Sequence, residues 1–325
     1  PVGTEAGRTQ LAIAVAALAL VASALLLPRL DATDLWAPDE PRYAQIAQEV
    51  LEAETGARSW VLLRLAGEPY TQKPPLFYWL AAVAGVPEGR VGETAARLPS
   101  ALAGVLCVVG VALFGGRLFG PRLAPGVGAG LLLLTTWRCA YSARRAQLDV
   151  LLTLFEGLAL FACWQYDRGS RSRATILLLH AALGLAVLTK GPVGLLPLAA
   201  YALYLAWERR LRDLRPLLAP WAFVVSLGPA LLWLAGAVAL APPGFFGEAF
   251  LDNVLGRFFA GTAHVRPFYY YLYQLPGDAL PWILLAPLVV LGWRSAEGAQ
   301  GTQASAWRFL ASTVLASLVF FSVSA

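Results

Sequence analysis

Apolar residues along this chain come in long runs separated by short polar breaks. A helix needs about 20 mainly apolar residues to cross a bilayer, and runs near that length fall at 10–28, 97–115, 123–141, 149–166, 174–190, 191–207, 217–241, 279–293 and 307–325. The pattern predicts an all-α, polytopic bundle of about nine transmembrane helices. Two longer polar segments, 29–96 and 242–278, interrupt the series. In the first, Glu40 to Glu54 reads as an amphipathic helix, with Tyr43, Ile46, Ala47, Val50 and Leu51 on one stripe and Glu49, Glu52 and Glu54 elsewhere, suited to lie along a membrane surface. Lys73-Pro74-Pro75 then breaks the chain before Leu76 to Val86, a run too short to span and read as re-entrant or interfacial. No internal repeat of the kind found in transporters is visible.

Composition agrees with a bilayer as solvent: 58% of residues are hydrophobic and 14% charged, against about 25% charged in soluble domains. The net charge of +5 comes without a basic run interleaved with aromatics, so a nucleic-acid partner is not indicated and the excess is topological. Arg117 and Arg122 follow the second span, Arg168, Arg171 and Arg173 the fourth, and Arg209, Arg210, Arg212 and Arg215 the sixth. Arg294 and Arg308 flank the loop after the eighth. With the N-terminus inside, every one of these clusters is cytoplasmic. The opposite face receives the long segments and the turns at 144–149 and 189–192. From Arg29 to Arg97 the first long segment carries ten acids against seven bases.

Cys107, Cys139 and Cys163 lie within apolar runs without close pairing, which indicates neither a disulfide framework nor a zinc site. Arg8 and Ala22-Ser-Ala24 give the first run a superficial likeness to a cleavable signal, but its length and the many spans that follow favour an anchor. The chain starts at Pro1 and stops in an apolar run at Ser-Val-Ser-Ala, so a further C-terminal part is expected.

The candidates for chemistry lie in the segments of that opposite face. Asp39 and Glu40 form an acidic pair just past the first span; Asp39 has a second reading as the cap of the surface helix. Lys73 stands on a stiff Pro-Pro turn beside Phe77, Tyr78 and Trp79, where a snorkelling lysine and a lipid-phosphate ligand are both accommodated. Asp149 opens the fourth span on the same face as Asp39, either as a solvated helix-end acid or as a group turned into the bundle. Lys190 tips a tight turn. Arg257, His264 and Arg266 belong to the second long segment, with an aromatic belt after them, and a lone histidine makes no metal site.

Pro38-Asp-Glu-Pro-Arg-Tyr43, Gln72-Lys-Pro-Pro-Leu-Phe-Tyr-Trp79, Arg97-Leu-Pro-Ser100, Gln147-Leu-Asp149, Leu188-Thr-Lys-Gly191, Arg257-Phe-Phe and His264-Val-Arg-Pro-Phe-Tyr-Tyr270 occur in that order. In this the chain resembles the bacterial family containing lipid A aminoarabinose transferase, related to the protein O-mannosyltransferases within the GT-C superfamily. The resemblance implies a GT-C-type bundle occupying 1–325, with 29–96 and 242–278 forming the site. It also implies inverting transfer of a sugar from a polyprenyl-phosphate donor to a lipid, glycan or protein acceptor of the cell envelope, at the outer face of the bacterial cytoplasmic membrane. It implies Asp39, with Glu40 and Asp149, as the catalytic acids, Asp39 taking the proton of an attacking hydroxyl. Arg42, Lys73, Arg257 and Lys190 are implied as donor-phosphate ligands, with Tyr43, Gln72, Tyr78 and His264 around them. One departure is Gln72, where aminoarabinose transferases carry an acid that could help bind a metal or an amino sugar. A divalent cation is compatible with this pattern and not required by it. The rival readings are a transporter or flippase for a lipid-linked sugar, which would place charges within spans, and a non-catalytic assembly subunit. The charges read here as confined to loops favour the enzyme.

Overall fold

A computed structural model describes residues 5–52, 56–119, 123–248, 253, 267, 269–297 and 301–323. Helix α1 (Glu5–Leu26) is followed by a linker, then by α2 (Asp39–Leu51), α3 (Ala57–Val61), a two-stranded antiparallel hairpin of β1 (Arg64–Leu65) and β2 (Glu68–Pro69), and α4 (Leu76–Gly85). Next come α5 (Glu93–Leu118), α6 (Leu123–Thr135), α7 (Trp137–Ala143), α8 (Leu148–Asp167), α9 (Arg173–Lys190), α10 (Leu196–Trp207) and α11 (Pro220–Leu240). Beyond these lie α12 (Tyr270–Asp278), α13 (Ala286–Glu297) and α14 (Thr302–Val323). Among the described residues the bundle is all-α apart from the hairpin, and six stretches are long and apolar enough to cross a membrane: Thr9–Leu26, Glu93–Leu118, Leu148–Asp167, Arg173–Trp207, Pro220–Leu240 and Thr302–Val323.

The fourth of these stretches is two antiparallel helices. After Lys190 the chain passes through Gly191 at φ +75°, a conformation glycine adopts without a Cβ clash, and a 3₁₀ turn over Gly191–Leu195 reverses it. Lys190 therefore meets Asp149 at the start of α8, while the Tyr204 hydroxyl on α10 donates to Asp167 at its end. Gly194 permits the reversal, since a Cβ there would stand 2.5 Å from the backbone of Ala186 and Val187. Small residues serve α5 in the same way: Ala101, Gly104, Val108 and Ala112 are among its buried positions, and Gly126 on α6 packs directly on the Ala112 carbonyl. Without a hydrophobic difference between helix and lipid, such close backbone approach is what packs membrane helices.

Several expected elements take a different form. The 123–141 run breaks at extended Thr136 into α6 and α7, and the 279–293 run begins as a 3₁₀ turn, Trp282–Leu285, before α13. The amphipathic helix α2 does not lay its apolar stripe on a membrane surface, because Ala44, Ile46, Ala47 and Val50 are buried in a core shared with Phe77, Tyr78 and Ala81 of α4 and Ala95 and Ala96 of α5. Helix α4 has two faces, with Phe77, Tyr78, Ala81 and Ala82 buried and Leu80, Val83 and Val86 exposed, as an interfacial helix requires. Ionisable groups stand inside the runs themselves, among them Arg138 on α7, Glu156 on α8 and His180 on α9, which corrects the reading that charges are confined to loops. His180 is buried and satisfied by Ser226 and the Leu217 carbonyl.

Charge separates the two ends of the bundle. At one end Arg168, Arg171, Arg210 and Arg308 pair with Asp167, Asp213 and Glu208, and Arg117 lies over the Phe161 ring. At the other end lie the first linker, α2 and the α7–α8 turn. Gly194→Ala should destabilise the protein by about 1–3 kcal/mol through overpacking, whereas Gly157→Ala, which meets nothing within 4 Å, should be neutral or stabilising. Thermal unfolding of both variants in detergent checks this; an unchanged midpoint for Gly194→Ala would mean that the chain does not turn back at this point.

Candidate active site

The site end is organised by one buried carboxylate. Glu40, 2% exposed, lies in the first turn of α2. Arg97, near the start of α5, grips it with two N–H···O bonds of 2.9 Å each. The backbone N–H groups of Trp36 and Ala146 donate to the same carboxylate at 2.8 and 2.7 Å, and Arg145 stands 3.8 Å away. Arg97 also donates to the carbonyls of Leu30, Thr33 and Asp34. One turn along α5, the Ser100 hydroxyl donates to the Gln147 carbonyl and accepts from the Gln147 N–H. Arg97 and Ser100 thus fasten the linker, α2 and the α7–α8 turn to one helix. Burial works to raise the Glu40 carboxyl, but the Arg97 hydrogen bonds and the two backbone N–H groups outweigh it and hold the group below the usual carboxylate range.

Glu40 is therefore corrected from a catalytic acid to a structural anchor, since both its oxygens are taken and it meets no open space. Its neighbour Asp39 points elsewhere: its side chain is 51% exposed and lies 3.5 Å from Arg42. Helix α2 has no side-chain cap at Pro38, so the capping alternative for Asp39 finds no support. Tyr43 is half-buried in T-shaped contact with the rings of Phe77 and Tyr78, and the Tyr78 hydroxyl donates to Tyr70. Burial first, then the nearby charges of Asp39 and Asp149, pushes the Tyr43 hydroxyl above its ordinary value, so it stays a proton donor.

Asp149, opening α8, lies within electrostatic reach of Lys190, Lys73 and Arg138. Lys190 is ion-paired to it. The structure thus brings Asp39, Arg42, Tyr78 and Asp149 around Tyr43 at one end of the bundle, with Lys73 in electrostatic reach of Asp149. Gln72 is exposed beside half-buried Lys73. Arg257 and His264 lie outside the described residues. Arg145, held over the rings of Tyr141 at 4.4 Å and Trp36 at 5.3 Å, walls the site beside Glu40. Among the described residues no three of His, Cys, Asp or Glu come together as a metal site.

Reasoning from sequence missed Tyr70, Arg138 and Glu156. An ionisable residue inside an apolar run is a signal in its own right, and Glu156 carried it. Arg138, inside the 123–141 run, carried it too, and Tyr70 offered none.

Residues 11–246 match the family model described as dolichyl-phosphate-mannose-protein mannosyltransferase. The chain belongs to this mannosyltransferase family. Within it, the chain is 34% identical over 326 residues to undecaprenyl phosphate-alpha-4-amino-4-deoxy-L-arabinose arabinosyl transferase 2 of Pseudomonas fluorescens, an alignment covering 94% of this chain and 52% of that protein. A similarly named transferase of Pseudomonas aeruginosa is 34% identical over 89% of this chain and 51% of its own length. The fold matches the crystal structure of ArnT from Cupriavidus metallidurans bound to undecaprenyl phosphate with a TM-score of 0.82 and 27% identity, over 95% of this chain and 55% of that one. The polytopic, GT-C-type helical architecture expected from the motifs is the one observed. The chain spans about half the length of the curated mannosyltransferase-family relatives it matches.

Glu40→Gln or Arg97→Met should lower stability by about 3–5 kcal/mol, the cost of leaving one partner of a buried pair uncompensated. The folded Glu40 carboxyl lies below its unfolded value, so its contribution is complete above the ordinary carboxylate range and is lost as pH falls through the folded value. The gap in unfolding midpoint between wild type and Glu40→Gln should accordingly be full at pH 7 and shrink below about pH 4. A gap independent of pH would rule out the ionised pair.

Proposed function

We propose that this chain forms the membrane-embedded catalytic part of an inverting glycosyltransferase that takes its sugar from a polyprenyl-phosphate donor. The observation that carries the reading is the gathering of Asp39, Arg42, Lys73 and Asp149, from three separate sequence motifs, at one end of a bundle that shares its fold with a protein solved with undecaprenyl phosphate. In this reading the acceptor hydroxyl oxygen attacks the anomeric carbon of the donor while Asp39 takes the hydroxyl proton. The bond from that carbon to the phosphate oxygen breaks, and the electron pair leaves with the polyprenyl phosphate. Arg42 and Lys73 hold the phosphate and stabilise the charge it gains. Asp149 binds the donor sugar, and the Tyr43 hydroxyl, kept protonated, donates into the same space. Where the acceptor is a phosphate, it attacks already ionised and no proton passes to Asp39.

The reading places the enzyme in the bacterial inner membrane with its N-terminus cytoplasmic, about nine spans, and the site on the periplasmic side, facing an envelope acceptor. What supports that orientation is the gathering of arginines at the end opposite the site. The relatives' names point to an undecaprenyl-phosphate-linked amino sugar as the first donor to try.

Transfer of labelled sugar from a panel of polyprenyl-phosphate sugars by the full-length membrane protein tests this. Asp39→Asn should lower kcat about 10²–10⁴-fold with donor binding retained. Lys73→Ala should lower kcat/KM about 10²–10³-fold, the usual cost of one donor to a developing oxyanion. Full turnover in Asp39→Asn would remove it as the base. Donor binding without transfer would point to the carrier reading instead.

A further inference from the structure

Glu156 lies on α8 seven residues after Asp149, so the two carboxylates share a face of the helix about 10 Å apart along its axis. Its Oε1 is buried without a hydrogen-bond partner among the described residues, and its electrostatic neighbours are Lys190 and Asp149. A carboxylate inside a membrane helix is costly unless a cation or proton attends it, and the nearby cation, Lys190, is spent on Asp149. Lys190 ends α9, just before the chain reverses, and the flexible four-carbon stem of a lysine gives its ammonium a range of positions.

The consequence concerns the donor sugar and rests on the role proposed above for Asp149. To bind a sugar, Asp149 must release Lys190. Releasing the Asp149 side chain, 61% exposed, costs little by itself, but it leaves the Lys190 ammonium, only 26% exposed, without a counter-ion beside the bundle unless a second carboxylate on the same face receives it. We propose that Glu156 is a positioning residue that takes over Lys190 when the donor sugar engages Asp149, so that the ammonium moves from one acid to the other along α8. Glu156 itself does not touch the sugar. The exchange is a movement of charge partners only, with no bond made or broken.

A role of this kind affects the sugar and not the lipid phosphate, and it acts only through Lys190. Steady-state transfer from the sugar-linked donor should therefore show the donor KM raised about tenfold in Glu156→Gln, with kcat within about twofold, and Glu156→Asp recovering much of the loss. Binding of undecaprenyl phosphate without sugar should be the same in Glu156→Gln and wild type. In a Lys190→Met background, Glu156→Gln should add no further loss, the signature of two residues acting as a unit. Unfolding midpoints of all variants identify any general loss of fold. An unchanged donor KM, equal weakening of undecaprenyl phosphate, or an undiminished effect in the Lys190→Met background would each overturn the proposal and leave the glycosyltransferase reading intact. Absence of transfer by the wild-type protein from every donor would overturn both.

Discussion

The arrangement of the site end depends on the buried pair between Glu40 and Arg97. Few single contacts connect so many separate stretches of chain: the linker after α1 through the carbonyls of Leu30, Thr33 and Asp34, the first turn of α2, α5, and the α7–α8 turn through the Ala146 N–H. A buried ion pair is often no better for stability than a well-packed apolar substitute. Its value here is directional. A planar guanidinium with a fixed fork of donors, facing a carboxylate with fixed acceptors, allows one relative placement of those elements. An apolar contact would allow several.

Beyond the Glu40–Arg97 and Lys190–Asp149 pairs, the charges at this end include Arg42, Lys73 and Arg138 against Asp39 and Asp278, the last ion-paired to Arg138. That surplus is positive, and it stands beside a low-dielectric bundle where charge interactions are strong. Such a place favours an anion, above all one that gains negative charge as a bond breaks. The arginine-rich end is also positive, but Arg168, Arg171, Arg210 and Arg308 there are tied to Asp167, Asp213 and Glu208, and Arg117 is laid over an aromatic ring. Positive charge alone does not distinguish the two ends; the way it is neutralised does.

Hydropathy made most of the architecture legible, because a bilayer forces each apolar run into a helix whose backbone bonds close on themselves. The Lys190-Gly191-Pro192 reversal was legible for the same reason: glycine and proline mark it within an otherwise apolar stretch. The partner of an amphipathic face was not. The stripe of α2 reads identically whether lipid or α4 covers it, and only tertiary packing chose α4. Motifs brought Asp39, Arg42, Lys73 and Asp149 into view one by one. Their convergence could not be read from spacing, since they are separated by up to 110 positions along the chain. Gly126, Gly130 and Gly194 were silent in sequence because what makes them necessary is a backbone elsewhere.

The Asp39-Glu40 pair shows most clearly where a pattern stops and geometry begins. Two adjacent acids before a helix look equivalent in sequence, and both were assigned to the chemistry. Consecutive residues on a helix point about 100° apart, so when one of them enters the core the other is directed along its wall. Glu40 enters, and all its acceptor capacity is consumed there. Asp39 is left at the surface of the site beside Arg42 and near Tyr43, its backbone held by the turn that Glu40 anchors. A general base works only within hydrogen-bond reach of the proton it removes, and a misplacement of about 1 Å can cost a hundredfold in rate. In the proposed mechanism, the rigidity that Asp39 needs is supplied one residue away, by the buried Glu40 carboxylate.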